Sequence, residues 1–132
     1  MIGLDTNVVL RLLLGDDSAQ TMRAAKFIQQ AKRLETKVII TLAVVLELEW
    51  VLRSSAKMNK AEVLSIFNLL LDSYDIEIDS EKVLEQALHI YENAASDFAQ
   101  CLFLAQYQRM GCNTMLTFDA KAARMTGVEL VA

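Results

Sequence analysis

Proline is absent from all 132 residues, cysteine occurs twice and histidine once. With no proline, repeat or low-complexity run to mark a linker, residues 1 to 132 read as a single domain, long enough to bury a core without staples. Cys101 and Cys112 form no CxxC pair and have no histidine at metal-ligand spacing, so both read as packing residues with reduced thiols. His89 lies at helical spacing from Glu85, Gln86, Glu92 and Asn93, which makes it a solvent-facing ring and not a catalytic one. Although 54% of the residues are hydrophobic, no window reaches the roughly 18 apolar residues of a membrane span. The opening MIGLDTN carries an acid where a secretory leader carries Lys or Arg, so no targeting segment and a cytoplasmic location are expected. A basic excess is missing too. The formal net charge of −4 argues against nucleic-acid binding through bulk charge. Local clusters remain, Lys32 with Arg33 and Lys37, and Arg53 with Lys57 and Lys60, which also read as solvated faces.

What is present is an alternation of short apolar strands with helices. MIGL ends at Asp5-Thr6-Asn7, and an amphipathic segment follows from Val8 to Leu14 before Gly15, the order strand, cap, helix. Asp16-Asp17-Ser18 caps a second helix to about Arg33, with Met22, Ala25, Phe27, Ile28 and Ala31 as its core stripe. Val38 to Thr41 is β-branched, residues 42 to 56 form an apolar helix, and Asn59 caps another reaching Leu71. YDIEID (74 to 79) alternates with period two and predicts a half-exposed strand. Helices are predicted over 80 to 95 and 97 to 110, with Gly111 as a stop, and TMLTF (114 to 118) and VELV (128 to 131) are the last strands. Such alternation predicts an α/β fold with a mainly parallel sheet of about four or five short strands, covered on both faces.

In an open α/β sheet, chemistry gathers outside the carboxyl ends of the strands. Asp5 follows the first strand and Asp119 follows TMLTF, so both project into one crevice if their strands are neighbours; each is also an ordinary N-cap position. In LAVVLELEWVLRS, Glu47 has Ala43, Val44, Trp50 and Val51 three and four positions away, so its carboxylate is predicted to emerge from an apolar stripe. A metal ion or a distant Arg or Lys would satisfy it. Glu49 precedes Arg53 by four residues and has a simple solvated explanation. Asp97 opens a helix, where the dipole favours an anion, and Gln100 follows one turn on, about 4.5 Å along the axis. Gln100 places an uncharged amide among apolar and small neighbours, facing the same side.

MIGLDTNVVLRLL at the start, LELEWVLRS in the middle and SDFAQCLFLAQYQRMGCNTMLTFDAKAARMTGVELV at the end, in that order, resemble a PIN domain, specifically the small bacterial and archaeal ribonuclease toxins of the VapC type. The resemblance covers nearly the whole chain. It implies a three-layer α/β/α fold and an endoribonuclease dependent on Mg²⁺ or Mn²⁺, a homodimer held inactive by a small antitoxin protein. It implies that Asp5, Glu47 and Asp119 are metal ligands and catalytic acids, with Asp97 matching a further acid of the family. Related sequences read DFADAL where this chain reads DFAQCL, so Gln100 stands where the resemblance expects a second aspartate. A neutral amide is a poorer ligand for a hard cation than a carboxylate, so this exchange is expected to weaken metal binding. Thr6, Asn7 and Thr117 are supporting candidates that hydrogen-bond the acids or a bound water; capping and turn chemistry explain them as well.

Three other classes compete. A PIN-like module that keeps fold and partner contacts without cutting is favoured by Gln100. A phospho-accepting receiver domain would show an acidic pair right after the first strand, where DTN stands, and a haloacid-dehalogenase-like phosphatase wants a second Asp at position 7, where Asn7 stands. The six methionines and the apolar excess also suggest a partner surface, with Leu10, Leu13, Leu14, Phe27, Ile28 and residues 42 to 70 as its expected place.

Overall fold

A computed structural model describes all 132 residues. The elements run β1 (Ile2–Gly3), α1 (Thr6–Leu14), α2 (Ser18–Arg33), β2 (Val38–Ile40), α3 (Leu42–Ser54), α4 (Lys60–Asp72), β3 (Glu77–Ile78), α5 (Glu81–Asn93), α6 (Phe98–Arg109), β4 (Met115–Thr117), a 3-10 turn (Ala122–Arg124) and β5 (Val128–Leu130). The class is α/β, and every strand pair is parallel. The strands form two sheets, one of order β1-β2-β3 and one pairing β4 with β5. The chain divides into two compact units, Met1–Asp79 and Ser80–Ala132.

In the first unit, β2 is central and pairs Ile2 with Val38 on one side and Ile40 with Ile78 on the other. The predicted strand over 74 to 79 shrinks to two residues because β2, itself three residues long, offers partners only to Glu77 and Ile78. Tyr74 is fully exposed, and Asp75 instead meets Lys32 at 3.4 Å. Local chemistry sets the helix ends. Gly15 closes α1 at φ +61°, a left-handed conformation that costs other residues roughly 1 kcal/mol, and its N–H donates to the Arg11 carbonyl. Arg11 then ties the turn, donating to Asp16 at 2.9 Å and to Gln20 at 2.7 Å. Asn59 and Glu62 form a reciprocal capping box at α4.

The core of this unit draws on Val9, Ile40, Val45, Leu48, Leu52, Val63 and Phe67, all at most 1% exposed, each contributing about 1.5–3 kcal/mol by leaving water. α2 departs from the predicted stripe. Of its apolar residues only Ala31 is buried, Ala25 and Ile28 are half-buried, and Met22 and Phe27 are 61% and 69% exposed. Within this unit α2 packs on α1 and presents the rest of its apolar face outward.

In the second unit, α5 and α6 pack along each other, with Tyr91 and Phe98 in an edge-to-face contact, centroids 5.4 Å apart. Leu104, Met115 and Val128 form a small cluster that joins α6 to the β4–β5 pair, with Ile90 and Met125 against it. α6 ends at Arg109, and Gly111 just beyond has φ +91°. His89 is exposed, as its polar helical neighbours predict.

Candidate functional site

Asp5 lies two residues past β1 and is the N-cap of α1: its Oδ1 accepts from the Val8 N–H at 3.1 Å. Asp97 is the N-cap of α6, its Oδ1 accepting from the Gln100 N–H at 3.0 Å. Asp119 lies two residues past β4, and its Oδ1 accepts from the N–H groups of Lys121 and Ala122 at 2.8 and 3.2 Å. In all three, one carboxylate oxygen is held by backbone amides and the other makes no hydrogen bond. All three residues are exposed. The cap and the free ligand oxygen therefore coexist in each of these side chains, and a choice between the two readings is unnecessary.

Glu47 reverses one expectation. The buried face of α3 is Val45, Leu48, Glu49 and Leu52, at spacings of three, one and three, while Ala43, Glu47, Trp50 and Ser54 form an exposed face. Glu47 thus stands on the outer face of α3, about one and a half turns from its start, with no ion pair. The carboxylate in the core is Glu49. It is 2% exposed, and Arg53 grips both of its oxygens, Nε to Oε2 at 2.8 Å and Nη2 to Oε1 at 3.2 Å. The i,i+4 pairing follows from the spacing, but the pair is not a solvated one.

Within the first unit, parallel pairing puts the carboxyl ends of β1 and β2 at one edge of the sheet, where α1 and α3 begin, and these helices pack on each other. Glu47 lies about one and a half turns further along α3, and Asp5 stands at this end. A groove of about 540 Å³, mostly apolar, lies beside it, lined among others by Leu4, Asp5, Val8, Arg11, Arg23 and Phe27. Thr6 is buried and Asn7 exposed in the first turn of α1. Within the second unit, Thr117 fixes the loop after β4, its Oγ1 accepting from the Asp119 N–H at 3.0 Å. Gln100 is half-buried, and its N–H is the group that Asp97 caps. Ser96, beside Asp97, buries a hydroxyl that makes no hydrogen bond.

The candidate acids thus fall two to a unit, and within neither do three or more His, Cys, Asp or Glu side chains gather as a metal-holding group. As a donor set they suit a hard divalent cation, which prefers carboxylate oxygens, and each of the three aspartates keeps one oxygen uncommitted. No helix is long and apolar enough to cross a membrane. A search among curated proteins returns no match. The family model described as the PIN domain matches residues 2–128, and the chain therefore belongs to the PIN domain family, whose members act on nucleic acid and are typically metal-dependent nucleases.

Proposed function

We propose that the chain is a Mg²⁺- or Mn²⁺-dependent endoribonuclease of the VapC toxin type, and that residues 1 to 132 act as one PIN domain. Asp5, Glu47 and Asp119 would hold the ion, with Asp97 replacing or supporting them where the family pattern places an acid and this chain has Gln100. A bound divalent ion supplies an activated water and offsets charge on the leaving oxygen in phosphodiester hydrolysis. The residues of the chain orient and bind. Backbone amides fix one oxygen of Asp5, Asp97 and Asp119, so the free oxygen of each is offered without the cost of ordering a mobile side chain. Thr117 holds the Asp119 loop. That shared pattern of one held and one free oxygen is the observation that carries the reading.

An antitoxin and a homodimer complete the proposal. The outward apolar face of α2, with Met22 and Phe27, and the groove beside it support a covering partner there. Exposed Trp50 and Leu69, on α3 and α4, suit a second copy.

A second reading, a PIN module that binds without cutting, is favoured by Gln100, a neutral amide in the first turn of α6. A cleavage assay on structured RNA with Mg²⁺, Mn²⁺ or EDTA separates the two. We expect weak cutting by the chain, a gain in Gln100→Asp and none in Asp5→Asn or Asp119→Asn. Equal cutting by all of them in EDTA would end the metal mechanism; no cutting even by Gln100→Asp would favour the binding module.

A further inference from the structure

The second unit contains a concavity of about 440 Å³ between the C-terminal half of α5, the C-terminal half of α6 and the segment after Asp119. Its lining holds Lys121, Arg124 and His89, with Gln108 and Thr126 beside them, and no Asp or Glu. Elsewhere in the chain Arg11, Lys32, Lys37, Arg53 and Lys82 each pair with a carboxylate. The side chains of Lys121 and Arg124 pair with none. The Gln86 amide donates to the Gln108 Oε1, which leaves the Gln108 amide nitrogen as the group available to a ligand. Two unpaired cations, an amide donor and a hydroxyl around one hollow select an anion with several acceptor oxygens, and an Arg beside a Lys suits a phosphate group.

We propose that this hollow is a phosphate-binding subsite that seats the backbone of a single-stranded polynucleotide. It rests on the nuclease reading for its ligand. The connection to the acids is through the chain: Asp119 caps the very turn that carries Lys121, so the segment 119 to 126 has a candidate catalytic acid at its start and the wall of the hollow at its end. A strand phosphate held by Lys121 and Arg124 would fix the register of the strand beside that acid. The competing explanation is structural, with both cations serving only to offset the negative end of the α5 dipole.

The test is binding of a fluorescent single-stranded oligoribonucleotide by anisotropy, in EDTA so that nothing is cut, over a range of salt. Lys121→Gln with Arg124→Gln is expected to weaken binding roughly tenfold and to flatten the log–log salt slope by about 1.4, two contacts at about 0.7 each. Lys26→Gln with Lys57→Gln, the same charge change at two exposed lysines outside the hollow, should leave affinity within about twofold. Lys121→Arg with Arg124→Lys, which keeps both charges, should bind nearly as the parent does. Equal losses in the two neutralised pairs, or a fall in melting temperature with unchanged binding, would overturn the proposal. Competition by inorganic phosphate and by a nucleoside monophosphate distinguishes the sources: displacement by either at concentrations below the strand's own would refute a polynucleotide ligand. Loss of cutting in Asp119→Asn with binding intact bears on the metal mechanism alone, so the two ideas fail separately.

Discussion

Replacing Arg53 with methionine leaves the Glu49 carboxylate in the core with its partner gone. The structure sets the size of the effect. Glu49 has a side chain 3% exposed and receives two charge-assisted hydrogen bonds from Arg53, whose own side chain is 43% exposed. Removing one member of a fully buried pair costs about 3–5 kcal/mol, chiefly because the remaining charge stays desolvated. Since Arg53 is partly hydrated, the pair sits in a medium softer than a dry core, and we expect about 2–3 kcal/mol. For a chain of this length, with an unfolding entropy of about 2.1 cal/mol/K per residue, that corresponds to a fall in Tm of about 7–11 °C. Urea unfolding and calorimetry at pH 7 read it directly. The companion variant, Glu49→Leu with Arg53→Met, removes both charges and should recover most of the loss, since hydrophobic replacement of a buried pair is often neutral. An Arg53→Met midpoint within about 0.5 kcal/mol of the parent, or a double variant no better than the single one, would refute the burial of an ion pair as the anchor of α3.

Asp97→Ala should destabilise α6 by about 1 kcal/mol through loss of the N-cap, and Asp97→Asn by much less, as read by thermal unfolding. Gly15→Ala should cost about 1 kcal/mol from its left-handed φ alone, because an added Cβ would meet nothing within 4 Å; a neutral result by urea titration would disprove that conformation. Phe67→Ala, at a site with no exposure, should cost about 3–5 kcal/mol, whereas the same change at Phe27, 69% exposed, should stay within about 0.5 kcal/mol.

Local chemistry was the most legible level in the sequence. Asp5, Asp17, Asn59 and Asp97 cap their helices as their positions imply, because a cap needs only a side-chain oxygen and the next few amides. The α/β alternation and the order of elements were readable for the same reason. The facing of helices was not. α3 carries apolar residues on every side, so its pattern does not choose between a core face through Glu47 and one through Glu49, and only packing against α1 and α4 settles it. α2 shows the converse: Met22 and Phe27 have the spacing of a core stripe, yet no further layer of their unit covers them. The division of five strands into three and two was also hidden, since strand pairing is decided between segments far apart in sequence. Among the candidate acids, position after a strand and the capping role were visible, while the second oxygen of each aspartate being left without a hydrogen bond was not.

That last feature separates architecture from reactivity at the scale of a single atom. A helix start or tight turn asks its capping residue chiefly for one acceptor, and charge adds only a small dipole contribution, so under the proposed mechanism amide isosteres at positions 5, 97 and 119 would silence chemistry while the scaffold survives. Lineages built this way can retire an enzyme into a scaffold by exchanging oxygen for nitrogen, and such descendants would still fold, still meet their neighbours and still pass for working copies.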